Sequence, residues 1–484
     1  MFLTNAAVLV IEILAARLLA PYVGDTLETY TAIIGTVLAG ISLGSVVGGR
    51  LADRRDPRGL LGPILVIGGT LTLMTLPILA FVGPAFVGGG AIGSVLLAFL
   101  CFFAPATVLS AVSPTIVKLQ LDRLDETGTV VGRLSALGTA GAIAGTFVTG
   151  FALVAAFPTR PVMLAVGVLL VLGGVGLHLG LRARTDQPVA MVAVVGLLGA
   201  GMTSVVPTPC EYETAYYCAR IVDGAGDPDA ACGGRLLYLD LLMHSCVYLD
   251  DPTQLDFTYA QSMSDVIAAM APEGQPLDGL HIGGGGFTMP RYLEAVRPGS
   301  VSLVLEVDES LVDIARRELG LETGPDLRVR VGDARTALRE QPDDGYDLVI
   351  GDAFGDLAVP WHLTTREVVA QIRRSLRPDG IYAINLIDYP PFGFARAEIA
   401  TLQSEFAHVA VMAPQDRLDG LEGGNFVLVA SDSPLPVEDI AARNAERGDD
   451  EVVLDGPPVD EFVGDAMVLT DDYAPVDQLL GSRR

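Results

Sequence analysis

The sequence predicts two architectures in one chain, an α-helical membrane bundle of about seven spans followed by an α/β doubly wound sheet. Apolar segments of about 20 residues, the length needed to cross a bilayer, recur up to Pro207. The mean hydropathy of +0.46 is correspondingly high for a soluble protein. Beyond Pro207 short apolar runs alternate with helix-like segments, which is typical of a sheet covered by helices on both faces.

The apolar segments of the first half each have the length and composition of a membrane span. The first is not a cleavable signal peptide, because it lacks a basic leader and further spans follow it directly. Glycines at four-residue spacing, Gly40-x3-Gly44-x3-Gly48 and Gly141-x3-Gly145, predict close helix packing. The expected spans are approximately residues 2–23, 29–49, 60–82, 89–112, 136–157, 161–180 and 187–206.

Basic residues fall mainly in alternate loops, whereas the opposite loops hold only Arg160. By the positive-inside rule, the N-terminus of this multi-pass cell-membrane protein is cytoplasmic. An odd number of spans would then place the second half of the chain outside the cytoplasm, whereas a re-entrant segment, or residues 187–206 lying along the interface, would place it in the cytoplasm. The alternate-loop residues are Arg50, Arg54, Arg55, Arg58, Lys118, Arg123, Arg133, Arg182 and Arg184.

Four of the five cysteines follow the last apolar segment: Cys210, Cys218, Cys232 and Cys246. They form no CxxC pair and histidines are few, so the pattern argues against a zinc site. Closely spaced cysteines of this kind favour disulfides, which require an oxidising compartment. We therefore divide the chain into a membrane domain (residues 1–207), a cysteine-containing connector (208–235) and a catalytic domain (236–484).

The catalytic half places its chemistry-bearing residues where consecutive strands end. LDGLHIGGGGFTMPRYLEAV reads as a strand, a glycine turn and a helix, and the strands of SVSLVLEVD, LRVRVGD and YDLVIGDAF follow. Ligands of parallel sheets bind at these carboxyl ends. The acidic net charge of −27 disfavours nucleic acid and suits a cationic ligand.

The spacing of these motifs predicts a nucleoside site. Glycines let a ligand approach the backbone, and Glu306, about twenty residues after them, can accept hydrogen bonds from two ribose hydroxyls. The Gly332-Asp333-Ala334 turn suits an adenine edge, and Asp352 ends the next strand. The glycine run lacks GxGxxG spacing, so the pattern favours an adenosyl-sulfonium ligand over a nicotinamide dinucleotide.

The ordered motifs YLDLLMH, DFTY, IGGGG, LEVDE, VGDA and DLVIGDAF resemble the membrane-fused branch of the spermidine synthase (polyamine aminopropyltransferase) family. The resemblance implies a spermidine synthase-like transferase fold and an aminopropyl donor, decarboxylated S-adenosylmethionine, or else S-adenosylmethionine itself. It also implies a small cationic amine as acceptor and no metal. We expect a homodimer in the lipid bilayer that binds no nucleic acid.

Carried over by position, the resemblance implies a role for each candidate residue. Asp352 is the catalytic carboxylate. The donor-binding residues are Gly283, Gly284, Gly285, Glu306, Asp308, Asp333 and Ala334. The candidates for binding the amine are Asp240, His244, Tyr259, Asp356 and Trp361.

The sequence departs from the family pattern in the amine half of the site. The family turn GGGDG carries an aspartate where this chain has Gly286, and the second aspartate of DSSDP corresponds to Gly355, one residue before Asp356. His244 stands where the family has glutamine. Two alternatives therefore stay open: a methyltransferase that uses S-adenosylmethionine, and a non-catalytic polyamine-binding or transport-associated protein.

Overall fold

The chain divides into two compact units, Met1–Ala219 and Arg220–Arg484. The computed structural model describes residues 1–87, 89–121, 127–181, 189–205, 208–224, 232–355 and 359–481, with side chains of the seventh helix described for residues 192–202. The boundaries that we expect from the sequence, at residues 207 and 235, remain proposals for the functional division of the chain.

The first unit is the helical bundle that the sequence predicts. Among the residues that the structure describes, six helices are long and apolar enough to cross a membrane. A seventh has 17 residues, which is at the lower end of the length that spans a bilayer. The helices are α1 (Phe2–Val23), α2 (Leu27–Arg54), α3 (Pro57–Phe86), α4 (Gly90–Gln120), α5 (Thr127–Ala156), α6 (Thr159–Gly180) and α7 (Val189–Val205).

The spaced glycines lie where two pairs of helices approach most closely. A side-chain carbon at Gly48 of α2 would lie 2.6 Å from the Cα of Ala111 in α4. One at Gly145 of α5 would lie 2.8 Å from the Cα of Ala6 in α1. Both glycine motifs therefore act as the sequence predicts, because only a hydrogen at these positions lets the backbones touch.

The packing of α3 against α6 shows that these two helices are antiparallel. A side-chain carbon at Gly62, early in α3, would lie 2.7 Å from the Cβ of His178 near the end of α6. One at Gly69, further along α3, would lie 2.9 Å from the Cβ of Leu170. The neighbour in α6 therefore moves towards its N-terminus as α3 proceeds.

The short helix α7 instead runs parallel to α3. Gly196 packs on Thr70, and Gly199, one turn later, packs on Met74. The Thr70 hydroxyl also donates to the carbonyl oxygen of Val192 at 3.2 Å. Helix α7 therefore lies beside the middle of α3 and ends at the same end of the bundle as α3 does.

A disulfide-closed hairpin packs against that end of the bundle. The disulfide Cys210–Cys218 closes it, and Glu213 lies 3.7 Å from the guanidinium of Arg17 in α1. The backbone N–H of Thr159 donates to Glu213 at 2.9 Å. Arg17 thus has a structural partner at the bundle end. The hairpin contains strand β1 (Tyr212–Glu213) and the start of β2 (Cys218–Asp223).

The second unit contains a mixed eight-stranded sheet in the order β12-β10-β11-β9-β8-β5-β6-β7. Strands β5 to β9 are parallel, and β10, β11 and β12 pair antiparallel at one side. The doubly wound sheet of the sequence prediction is confirmed, with an antiparallel extension. The strands are β5 (Asp278–Ile282), β6 (Val301–Glu306), β7 (Leu327–Val331), β8 (Tyr346–Gly351), β9 (Leu376–Asp388), β10 (His408–Pro414), β11 (Gly424–Ser431) and β12 (Glu451–Asp455).

Helices cover both faces of this sheet. In β8, Val349 packs into one apolar layer while Leu348 and Ile350 pack into the other, as the two-residue repeat of a strand requires. The helices are α8 (Thr258–Met270), α9 (Thr288–Val296), α10 (Glu309–Glu318), α11 (Ala334–Leu338), α12 (Arg366–Ser375), α13 (Gly393–Gln403), α14 (Gln415–Leu418), α15 (Val437–Arg447), α16 (Pro457–Val463) and α17 (Val476–Leu479).

The strand order reverses at β5, which has β6 on one side and β8 on the other. In parallel sheets ligands bind at such a reversal point, at the carboxyl ends of the strands. A separate antiparallel hairpin, β3 (Arg235–Leu239) and β4 (Leu242–Val247), precedes the sheet.

The first prediction concerns the buried carboxyl group of Glu398. Glu398 of α13 is 0 % exposed, and neither of its carboxylate oxygens has a hydrogen-bond partner among the described residues. Burial raises the pKa of Glu398 well above its ordinary value. Glu398 therefore ionises in the unfolded chain but stays neutral in the folded one, which lowers stability increasingly as the pH rises.

We expect Glu398→Gln to raise the melting temperature at pH 8 and to leave it nearly unchanged at pH 5. The free-energy difference should grow by up to about 1.4 kcal/mol for each pH unit above the ordinary carboxyl pKa. Fluorescence of Trp361, the one tryptophan of the chain, reports unfolding of the second unit. Glu438→Gln, at an exposed site of α15, is the control. An equal effect of Glu398→Gln at both pH values would contradict the assignment.

Candidate active site

The glycine run forms a tight turn between β5 and α9. Gly283 and Gly285 have φ angles of 95° and 50°, which side chains rarely tolerate. The N–H of Phe287 closes the turn by donating to the carbonyl oxygen of Gly284 at 2.7 Å. A side chain at Gly283 would clash with the backbone of Asp352, which begins the loop after β8. The turn therefore brings the ends of β5 and β8 into contact.

Glu306, at the end of β6, holds this turn from the other side. Its carboxylate accepts from the backbone N–H of Gly284 at 2.8 Å and from that of Asp308 at 2.9 Å. The residue is 5 % exposed, and burial raises its pKa, although the two backbone donors act in the opposite direction. The carboxylate oxygens retain lone pairs, so Glu306 can also accept hydrogen bonds from ligand hydroxyls.

Asp352 is the most perturbed carboxyl group at these strand ends. The Nδ2 of Asn385 donates to its Oδ1 at 2.9 Å, and the hydroxyl of Tyr259 also interacts with it. Burial raises the pKa of Asp352 to about 6, whereas the interactions with Asn385 and Tyr259 act to lower it. A carboxyl group with a pKa near the working pH can accept a proton from a reacting group.

Tyr259 and His244 lie beside this carboxylate. The hydroxyl of Tyr259 is 3.5 Å from the carbonyl oxygen of His244, and burial beside Asp352 raises the pKa of Tyr259 well above its ordinary value. Burial lowers the pKa of His244 to about 4, so its ring is neutral at pH 7. The His244 ring lies edge-on to Phe354 at a centroid distance of 6.1 Å. The structure therefore joins Tyr259 to Asp352 and places His244 next to them.

The hairpin strand β4 fills the space in front of Gly286. Ser245, which is 4 % exposed, accepts the N–H of Gly286 at 3.0 Å. A side-chain carbon at Gly286 would lie 2.6 Å from the Cβ of Ser245 and 2.9 Å from the Cγ2 of Val247. The place that a carboxylate has in the family pattern is thus occupied by side chains of β4.

The remaining donor-binding candidates end their strands and cap the helices that follow. Asp308 accepts from the N–H of Ser310 at 3.0 Å at the start of α10. Asp333 accepts from the N–H of Thr336 at 2.8 Å at the start of α11, whose first residue, Ala334, is 8 % exposed. Asp333 also lies 3.2 Å from the Nε2 of His362. Contact of these residues with adenine stays a prediction.

Two other amine-binding candidates, Asp240 and Trp361, lie in different loops. Asp240 occupies the turn between β3 and β4 with a φ of 51°, while His244 lies two residues inside β4. Trp361 is 52 % exposed and packs edge-on against His362 at a centroid distance of 5.9 Å. Asp356 falls outside the described residues. Roles of these residues in amine binding stay predictions.

Sequence reasoning missed two side chains that the structure places at the site, Ser245 and Asn385. Both are almost fully buried, at 4 % and 2 % exposure. A signal for Asn385 was present, because a single amide interrupts the apolar strand GIYAINLI. A buried amide in such a strand needs a hydrogen-bond partner, and a carboxylate at the end of a neighbouring strand supplies one. No comparable signal marks Ser245.

The second prediction concerns Gly286, where neighbouring side chains occupy the space that a Cβ would need. We expect Gly286→Asp to destabilise the turn, because its Cβ cannot be placed without displacing Ser245 and Val247. Gly324→Asp is the control, since a side-chain carbon there has no neighbour within 4 Å. Thermal melting should show a loss of several degrees for Gly286→Asp alone. If the variant melts at the wild-type temperature, β4 can shift to accommodate the new side chain with little loss of stability, and the prediction is wrong.

No protein-family profile matches the chain. It is 26 % identical over 208 residues to a polyamine aminopropyltransferase of Vibrio vulnificus, covering 42 % of this chain and 66 % of that protein, slightly less than two thirds. It is 27 % identical over 428 residues to polyamine aminopropyltransferase 2 of Streptomyces coelicolor, covering 83 % of this chain and 76 % of that protein. This second match is longer than the catalytic unit and therefore extends into the helical half.

A solved structure supports the same relationship for the second unit. A probable spermidine synthase from Corynebacterium glutamicum superposes with a TM-score of 0.50 at 27 % sequence identity. The superposition covers 56 % of this chain and 98 % of that one. The resemblance expected from the motif order is confirmed: the chain is a homologue of proteins named polyamine aminopropyltransferase, and its α/β unit has the spermidine synthase fold.

Proposed function

We propose that the chain is a membrane-anchored aminopropyltransferase that moves an aminopropyl group from decarboxylated S-adenosylmethionine to a small amine such as putrescine. The observation that carries this proposal is the cluster at Asp352, where a half-buried carboxyl group accepts a hydrogen bond from Asn385 and interacts with the hydroxyl of Tyr259. The homologues named polyamine aminopropyltransferase supply the reaction class.

The donor would bind along the ends of β5, β6 and β7. The donor would lie against the backbone of the glycine turn, and the Glu306 carboxylate would accept hydrogen bonds from its ribose hydroxyls. The buried setting of Glu306 strengthens such hydrogen bonds, because water does not compete for the carboxylate. This arrangement leaves the sulfonium end of the donor directed towards the end of β8.

The chemical step needs little beyond alignment and proton removal. The nitrogen of the neutral amine attacks the methylene carbon next to the sulfonium, the carbon–sulfur bond breaks, and methylthioadenosine leaves. The new ammonium group carries one proton more than the neutral product, and Asp352 would accept it. Tyr259 and Asn385 keep the carboxylate in one orientation while a reactive nitrogen approaches.

A second reaction is favoured by one observation, the replacement of the turn carboxylate by the side chains of β4 at Gly286. A pocket without that negative charge would tolerate a donor that retains its own carboxylate. The alternative is methyl transfer from S-adenosylmethionine to another acceptor. The aminopropyl reaction ranks first because the homologues carry that name.

We also propose that the catalytic half leaves the bundle on the side opposite the basic loops. Helix α7 runs parallel to α3 and ends beside the hairpin closed by Cys210–Cys218. The described basic residues at the other end, including Arg54 and Lys118, would face the cytoplasm under the positive-inside rule. Two disulfides after α7 support an oxidising compartment.

The third prediction concerns Asp352. We expect Asp352→Asn to lower the rate of aminopropyl transfer by roughly 100- to 10,000-fold, because proton acceptance is lost. The wild-type rate should fall as the pH drops below about 6, where Asp352 becomes protonated. Mass spectrometry of the amine product measures both effects.

The matched control is Asp455→Asn, which changes an exposed aspartate at the end of β12. That variant should behave as wild type. Methylthioadenosine affinity should stay within a few fold in Asp352→Asn, which shows that the fold is kept. Near-normal turnover in Asp352→Asn would exclude Asp352 as the proton acceptor.

The fourth prediction concerns the compartment of the catalytic half. A membrane-impermeant maleimide should label the four paired cysteines in intact cells only after an external reductant is added. A Cys101→Ser background removes the one free cysteine, which is buried in the bundle. Thiols that react without reduction, and only after lysis, would instead place the catalytic half in the cytoplasm.

A further inference from the structure

Three polar side chains form a row across neighbouring strands at the carboxyl end of the sheet. Asp352 follows β8, Asn385 lies in β9 and Asn425 lies in β11. The Nδ2 of Asn425 donates to the Oδ1 of Asn385 at 2.8 Å, and the Nδ2 of Asn385 donates to the Oδ1 of Asp352 at 2.9 Å. The row therefore connects the edge of the active site to the reacting carboxylate through two amides.

The strand register places these side chains together. Strands β8 and β9 are parallel, with Gly351 opposite Ile384, so the residues that follow them are neighbours. Strands β9 and β11 are antiparallel, with Val427 opposite Asn385, so Asn425 is two residues from the direct partner of Asn385. Residues in this diagonal relation share one face of a sheet and lie within reach of each other.

Each hydrogen bond in the row determines the direction of the next. An amide side chain has a donor end and an acceptor end, and a carboxylate accepts hydrogen bonds only. Because Asn425 donates to the oxygen of Asn385, the NH2 group of Asn385 is the end that faces Asp352. Arg417 of α14 donates to the backbone carbonyl of Asn425 and so fixes that strand end.

We propose that Asn385 and Asn425 are positioning residues that act in series to orient Asp352 and to keep it ready to accept a proton. The inference rests on the proposed function, since it assigns a role to residues behind the carboxylate of that reaction. Hydrogen bonds in series polarise one another, so loss of the outer amide weakens the inner hydrogen bond. The two amides thus raise the fraction of Asp352 that is ionised at neutral pH.

Other titratable groups near Asp352 do not obscure this effect. Tyr259 comes from α8, His244 from β4 and Glu306 from β6 across the glycine turn. Burial keeps His244 neutral above about pH 4 and holds the pKa of Tyr259 well above its ordinary value. Burial raises the pKa of Glu306, but Glu306 contacts the turn and not Asp352. Its contribution is measured separately through the pH dependence of methylthioadenosine binding.

The fifth prediction is a change of pH profile in Asn385→Leu and Asn425→Leu, measured on the full-length protein in detergent. Asn385→Leu removes the hydrogen-bond donor that favours the ionised form of Asp352. The pH at which kcat falls to half its maximum on the acidic side should therefore rise by roughly one pH unit. Asn425→Leu should move it in the same direction by less. Both variants should recover most of their activity at pH 8.5, where Asp352 is again ionised.

The control is Asn444→Leu, which removes another buried amide, 2 % exposed, that donates to Glu451 at 3.3 Å. This variant should lose stability and keep the wild-type pH profile. If Asn425→Leu also keeps the wild-type pH profile, Asn425 does not act on Asp352 through Asn385, and the proposal that the two amides act in series is wrong. Equal loss of activity by Asn385→Leu at every pH would reduce Asn385 to a structural residue.

A spectroscopic measurement separates failure of this inference from failure of the proposed function. The aspartate carboxyl resonance that disappears in Asp352→Asn can be titrated in protein labelled with 13C-aspartate, without any substrate. Its midpoint should rise in Asn385→Leu and, by less, in Asn425→Leu. A midpoint that both variants leave unchanged overturns the inference. A wild type that makes no aminopropyl product, but shows the shifted midpoints, overturns the proposed function alone.

Discussion

The close approach of the glycine turn to the start of the loop after β8 is the constraint on which the site depends. A side chain at Gly283 would clash with the backbone of Asp352, and the carboxylate of Glu306 holds the N–H of Gly284 from the opposite side. Three strand ends are thereby fixed to one short segment. Because the strand order reverses at β5, the same segment lies at the crevice where parallel sheets bind ligands.

Much of this arrangement could be predicted from the sequence because it depends on local signals. Apolar length predicts the helices, and the alternation of strand and helix patterns predicts the sheet. The glycine run and the acids at 306 and 352 mark strand ends whose proximity follows from parallel topology alone. The antiparallel pairing of strands β10 to β12 could not be predicted, because a strand pattern does not reveal the direction of its partner.

The parts that could not be predicted depend on contacts between distant segments. The distance from Ser245 to Gly286 is short only because β4 packs against the glycine turn, and nothing in either local sequence shows this. The link from Asn425 through Asn385 likewise depends on the register of β9 and β11. The contact between β4 and Gly286 distinguishes this site from the family pattern, in which a carboxylate stands at the turn. The chain keeps the turn but fills the space in front of it.

The central claim is that these strand ends bind the nucleoside of an aminopropyl donor. Isothermal titration of the full-length protein with methylthioadenosine and with S-adenosylhomocysteine tests it most directly, because these are the nucleoside products of aminopropyl and methyl transfer. We expect saturable binding of methylthioadenosine that is tighter than that of S-adenosylhomocysteine and is weakened in Glu306→Gln. Tighter binding of S-adenosylhomocysteine, or no binding of either nucleoside, would contradict it.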